Sequence, residues 1–84
     1  MEQCYISFRS VTFAQRAEAI LRGKGFWCHL QRAPKWMGQR GCSYALRVRR
    51  TEVGACVAAL QQERAVFSKV YCQYTDGRRE ELIL

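Results

Sequence analysis

The chain has one histidine, one proline and no cysteine pair spaced C-x-x-C. His29 has no second acid or base nearby in sequence, so it does not make a catalytic pair. Without C-x-x-C, zinc knuckles and thioredoxin-type redox pairs lack their signature, and neither a metal nor a cofactor is expected. No apolar run approaches a membrane span, and "MEQCYISFRS" lacks the features of a signal peptide. The cytoplasm is therefore the expected compartment. There is no repeat of solenoid period and no low-complexity tract. Acids are also scarce. Between Arg9 and Arg50 there are ten basic residues and one acid, Glu18, within a chain of net charge +7. That balance favours anionic partners, whether nucleic acid, an acidic protein face or a small anion.

At 84 residues the chain has room for one domain with one core. "QCYISFR" alternates, with Cys4, Ile6 and Phe8 on one face, and predicts a half-buried strand. Ser10 offers an N-cap, and Phe13, Ala14, Ala17, Ile20 and Leu21 follow with helical spacing. "GKG" at 23–25 predicts the helix stop. "FWCHLQ" alternates again, and "RAPKWMGQRG" reads as a loop. "SYALRVR" predicts a third strand, with Tyr44, Leu46 and Val48 facing the core. Thr51 is a plausible N-cap for a second helix, whose stripe is Val53, Cys56, Val57 and Leu60. "AVFSKVYCQ" predicts the fourth strand.

This order is β-α-β-β-α-β. With right-handed crossovers it predicts an α+β ferredoxin-like fold. The sheet would be four-stranded and antiparallel, in the order 4-1-3-2, with both helices on one face. Residues 1–74 form the expected domain. Residues 75–84 form a charged tail, loose or swapped onto a partner, after a turn at Asp76-Gly77.

The five cysteines sort by position. An odd count without a secretory signal argues against a disulfide framework. Cys4, Cys28, Cys56 and Cys72 fall on core-facing positions and read as packed free thiols. Cys42 follows Arg40 and Gly41 at the end of the irregular loop. The topology places the start of the third strand beside the end of the first, near Ser10. There a helix N-terminus and nearby Arg and Lys would favour thiolate. Composition and topology leave two readings open: a reactive thiolate, or a strand-end residue that is simply packed.

"RGCSYALRV" also has some of the pattern of an RNA-recognition strand, which wants aromatics alternating after basic-Gly. Ala45 and Arg47 stand where aromatics belong, and Tyr44 has core parity. The other sheet face would carry Tyr5, Trp27, His29, Arg47, Lys69 and Tyr71. Such a face suits a protein partner or a homodimer better than RNA, and makes a non-catalytic binding module the alternative function.

Arg16-Ala17-Glu18 in the first helix, Pro34 after the second strand, and Cys42 followed by Ala45-Leu46-Arg47-Val48 form a recognisable set. With them the chain resembles the selenium/sulfur carrier-like family of small bacterial proteins, over roughly residues 4–72. The family pattern has Cys-Gly at this point. This chain has Cys42-Ser43, with Gly41 in front. The resemblance implies a carrier or accessory protein rather than a stand-alone enzyme. Carried over, the role of holding a persulfide or selenopersulfide falls on Cys42 alone; the position of the loop adds Arg40, Gly41, Ser43 and Ser10 as the residues expected around the cargo. It also implies a donor, such as a cysteine desulfurase or selenocysteine lyase, and an acceptor enzyme.

Overall fold

The alternation of Cys4, Ile6 and Phe8 with Tyr5 and Ser7 becomes the central strand of the sheet. A computed structural model describes residues 2–37 and 44–82. Its elements are β1 (Gln3–Phe8), α1 (Val11–Gly23), β2 (Cys28–Arg32), β3 (Tyr44–Arg49), α2 (Val53–Gln62), β4 (Val70–Gln73) and β5 (Arg79–Leu82), with short 3-10 turns at Lys35–Met37 and Arg50–Glu52. The sheet runs β2-β3-β1-β4-β5. Every strand pair is antiparallel. The first four strands therefore neighbour one another in the order 4-1-3-2, and the expected four-stranded sheet gains a fifth strand at the β4 edge.

Local signals explain most boundaries. The Ser10 hydroxyl accepts from the Phe13 N–H at 3.2 Å and caps α1. At the other end Gly25 has φ +87°, and the N–H groups of Gly25 and Phe26 donate to the carbonyls of Arg22 and Leu21. This is a Schellman stop, and it needs the left-handed backbone that glycine adopts without cost. Thr51 does not cap α2. It lies inside the 3-10 turn, and Glu52 stands at the cap position without a side-chain bond.

One sheet face and both helices enclose the core. Ile6, Phe8, Leu46 and Val48 meet Ala14, Ala17 and Leu21 of α1 and Val53, Cys56, Val57 and Leu60 of α2. Each large apolar side chain buried here contributes roughly 1.5–3 kcal/mol. Phe13 does not join them. It is 40% exposed, because the α1 stripe starts one residue later, at Ala14. Val66 is likewise 54% exposed. The expected fourth strand is shorter than its apolar run, and Val66 precedes it. Fully buried Ser7 handles the join: its hydroxyl accepts from the Lys69 N–H at 3.0 Å and donates to the Lys69 carbonyl at 3.2 Å.

The charged tail is a correction. Gly77 (φ +87°) and Asp76, whose carboxylate accepts from the Arg78 N–H at 2.9 Å, shape a tight turn. The chain then pairs back on β4 as β5, with Gln73 opposite Arg79 and Val70 opposite Leu82. A short edge strand rich in Arg and Glu also resists pairing with another chain.

The cysteines bring a second correction. Cys4 and Cys72 are directly opposite on β1 and β4, face the same core, and are joined by a disulfide with Cα–Cα 4.0 Å. Parity placed both thiols on the core face. The register of two strands far apart in sequence is what makes them a pair.

Candidate functional site

Four of the residues expected at the site, Arg40, Gly41, Cys42 and Ser43, lie outside the described residues. The fifth, Ser10, is the N-cap of α1, and its hydroxyl oxygen is engaged with the Phe13 N–H. The described residues on either side place the two ends of the segment that holds the other four. Tyr44, the first residue of β3, pairs with Phe8, the last residue of β1, two positions before Ser10. This matches the neighbourhood that the strand order predicts. The first turn of α1 holds no acid, so its positive end is not offset by a carboxylate there. Arg9 and Lys35 are exposed, and the Arg32 guanidinium stands 5.8 Å over the Tyr44 ring. Val11 and Phe13, 37% and 40% exposed, add apolar surface on the same turn.

The upstream side of the β2–β3 connection is pinned to the sheet. Tyr5 and Ala45 head a small second cluster on the face away from the helices, and Trp36 and Tyr71 pack against it. The Trp36 ring meets those of Tyr5 and Tyr71 edge-on, at 5.6 and 5.9 Å between centroids. From β5, the Arg79 guanidinium covers it at 4.7 Å. Edge-to-face and cation–π contacts of this kind are each worth about 1 kcal/mol. The loop segment therefore starts from a fixed point. Composition marked Trp36 as aromatic but could not say that it folds down, because its partners lie on three separate strands.

The same contacts change the reading of the outer face. Tyr5 and Tyr71 lie under Trp36, Trp36 lies under Arg79, and Trp27 has Arg47 and Arg49 beside it. The Tyr5, Tyr71 and Trp36 rings pack on one another, and Trp27, 40% exposed, is left without the row of bare rings along which bases stack. Tyr44, the best match to the RNA signature, packs against the helix-side core as its parity predicts.

The thiols can now be compared. Cys4 and Cys72 are bonded to each other. Cys28 and Cys56 are free and buried. Burial pushes the Cys28 thiol up from its ordinary range, although the Arg22 guanidinium pulls the other way. Burial, reinforced by the Glu52 carboxylate, pushes Cys56 up to about 12. Thiolate is the nucleophile, so neither is chemically poised.

Cys56 has a consequence for stability. Its folded pKa lies above that of an unfolded thiol, near 9, so the folded state keeps the proton longer. The stabilisation is complete below pH 9 and declines between pH 9 and about 12. Urea midpoints measured from pH 8 to 11 should fall more steeply for the natural protein than for Cys56→Val. Equal slopes would remove Cys56 as a cause.

Among the described residues, no three His, Cys, Asp or Glu side chains converge as a metal site requires, and no helix is long and apolar enough to cross a membrane. Neither a curated protein nor a solved structure gives a significant match to the chain. Residues 3–72, from the first strand to the disulfide cysteine of β4, match the family described as "Putative Se/S carrier protein-like". That span holds α1, α2, β1, β2, β3, most of β4 and Cys42, so the chain belongs to the Se/S carrier protein-like family.

Proposed function

We propose that the protein is a chalcogen carrier that holds a sulfur or selenium atom on Cys42 as a persulfide or selenopersulfide and passes it to a partner enzyme. The observation that carries this reading is the family match, which spans Cys42. The fate of the other thiols supports it. Two are locked in a disulfide and two are buried and protonated, so among the described residues none competes for the role. The setting also suits an anionic cargo. Cys42 is two residues from Tyr44, which pairs beside the acid-free N-terminus of α1. A helix N-terminus, and a guanidinium such as that of Arg40, two residues away in sequence, would favour both the attacking thiolate and the R–S–S⁻ it becomes.

The transfer step balances without an oxidant. The Cys42 thiolate attacks the outer sulfur or selenium of the donor's persulfide or selenopersulfide. A new bond to that atom forms, the donor's own bond to it breaks, and the donor cysteine leaves as thiolate. Delivery repeats the step with Cys42 as the leaving group. The exposed Val11 and Phe13 offer a partner an apolar landing on the first turn of α1. The direct test is incubation with a cysteine desulfurase or selenocysteine lyase and its substrate, followed by intact mass. One added sulfur or selenium is expected on the natural protein and none on Cys42→Ser.

A further inference from the structure

The far end of the sheet carries a feature that the carrier reading does not use. Where β1 begins and β3 ends, Glu2, Gln3, Trp27, Arg47, Val48 and Arg49 line an open groove of about 490 Å³. Past Arg49 it adjoins a second hollow, of about 310 Å³, bounded by Arg50 and Thr51.

Two guanidiniums share one indole there. Arg47 lies 5.4 Å and Arg49 5.9 Å from the Trp27 ring centre. They sit two residues apart on the same strand, so their side chains leave the same face. A cation–π contact at this distance takes up none of a guanidinium's hydrogen bonds, so the terminal N–H groups of both side chains remain as donors. No carboxylate takes those donors. The ion pairs among the described residues are Arg22–Glu18, Lys24–Glu63, Lys69–Glu81 and Arg78–Asp76. The Arg47 Nε is shut off from solvent with no hydrogen-bond partner. Its charge is therefore only partly hydrated, which strengthens its pull on an anion. Gln3 adds a further donor: its Oε1 accepts from the Tyr5 hydroxyl at 3.3 Å, leaving the amide N–H groups available.

Two like charges held against one ring repel each other, and a multivalent oxyanion between them would reverse that cost. The geometry points to a binding site for a small phosphate- or diphosphate-bearing ligand in this groove, with Arg47 and Arg49 as its clamp and Gln3 as a third donor. A phosphate supplies the charge and the several acceptor oxygens that two guanidinium forks require, which a single carboxylate does not. The adjoining hollow shares Glu2 and Arg49 and adds Arg50, so a second phosphate there would meet one carboxylate as well as two guanidiniums. A single exposed ring beside the clamp, with Tyr5, Tyr71 and Trp36 packed on one another, disfavours a stacked nucleic-acid strand as the source of the phosphate. The Glu2 carboxylate on the rim works against any anion and sets the sign of one test.

The probes are inorganic phosphate and inorganic pyrophosphate, titrated at ionic strength held constant with chloride. The readouts are the side-chain Nε–H signal of Arg47 and the indole N–H signal of Trp27 in nitrogen-15 NMR. Saturable shifts are expected, tighter for pyrophosphate than for phosphate, with acetate giving none. Arg49→Gln, an exposed position, should weaken pyrophosphate about tenfold, as should Arg47→Gln. Glu2→Gln should tighten it a few-fold, and Arg22→Gln, in the distant ion pair with Glu18, should leave it unchanged. A linear shift equal to that of chloride, or unchanged affinity in Arg49→Gln, overturns the site. Binding of a single-stranded oligonucleotide without saturable pyrophosphate binding overturns it as well. None of these readouts depends on Cys42, so the result stands apart from the carrier reading.

Discussion

The Cys42→Ser variant is expected to lose, together, the fast-alkylating thiol of the native protein and its capacity to accept a sulfur atom. The natural protein at pH 8, treated with excess iodoacetamide without denaturant, should take up one label quickly. Two more should follow only on the timescale of opening of the core, and none should reach the disulfide pair. The reasoning is a comparison of thiolate populations. Cys56 is fully buried and its pKa stands at about 12, so at pH 8 roughly one molecule in ten thousand carries the thiolate. An ordinary exposed thiol, near 8.5, is about a quarter ionised at the same pH. The ratio exceeds a thousandfold before access is counted. Cys28, 5% exposed and also shifted upward by burial, lies between these limits but has little surface to offer. Peptide mapping should therefore place the fast label at Cys42. Two fast labels, or a fast label in Cys42→Ser, would show that a core thiol is accessible and would take away the isolation that a carrier needs. Loading that survives in Cys42→Ser would sink the carrier reading itself.

That isolation matters for the chemistry. A persulfide is discharged when a second thiol attacks the inner sulfur and closes a disulfide. Joining Cys4 to Cys72 and burying Cys28 and Cys56 removes the described thiols from that side reaction. The rest of the molecule fixes the ends of the cysteine-bearing connection: Trp36 against Tyr5 and Tyr71 upstream, Tyr44 opposite Phe8 downstream.

What could be read from the residues follows from which interactions are local. Parity placed Cys4, Ile6, Phe8, Leu46 and Val48 on the core side, and the Ser10 cap and the Gly25 stop are one-turn signals. The features missed are non-local. β5 has almost no apolar alternation, and Arg79, Glu80 and Glu81 form a strand only because β4 offers an edge. Trp36 finds its place through residues of β1, β4 and β5. A disulfide partner depends on strand register, and connectivity among several cysteines is not contained in their spacing. For the site, the motif resemblance singled out Cys42. Topology predicted the neighbourhood that Tyr44 and Ser10 frame. The groove at Trp27 is not legible in the residues, because only the pairing of β2 with β3 brings Arg47 and Arg49 beside one ring.

Breaking the Cys4–Cys72 bond is expected to be the costliest single change to stability. The link spans 68 positions of the chain. On the chain-entropy estimate, a cross-link over a loop of that length restricts the unfolded ensemble by about 4 kcal/mol. Domains of this size are often stable by only 5–15 kcal/mol, so the loss is a large share of the whole. It should lower the melting temperature by about 15 °C or more. Cys4→Ala/Cys72→Ala should show it directly, with some extra cost from the lost sulfur volume in a fully buried site. The natural protein melted with a strong reductant should approach the variant, whereas reductant should do nothing to the variant itself. Thiol counting separates this from a mere packing effect. Protein unfolded without reductant should titrate three thiols, the five in the sequence less the bonded pair. Five thiols, with a melting temperature indifferent to reductant, would mean that β1 and β4 are held by their ladder and core contacts alone. In that case the cost of the double substitution would shrink to that of two small cavities in the core, and the pair would rejoin Cys28 and Cys56 as buried thiols available to nothing.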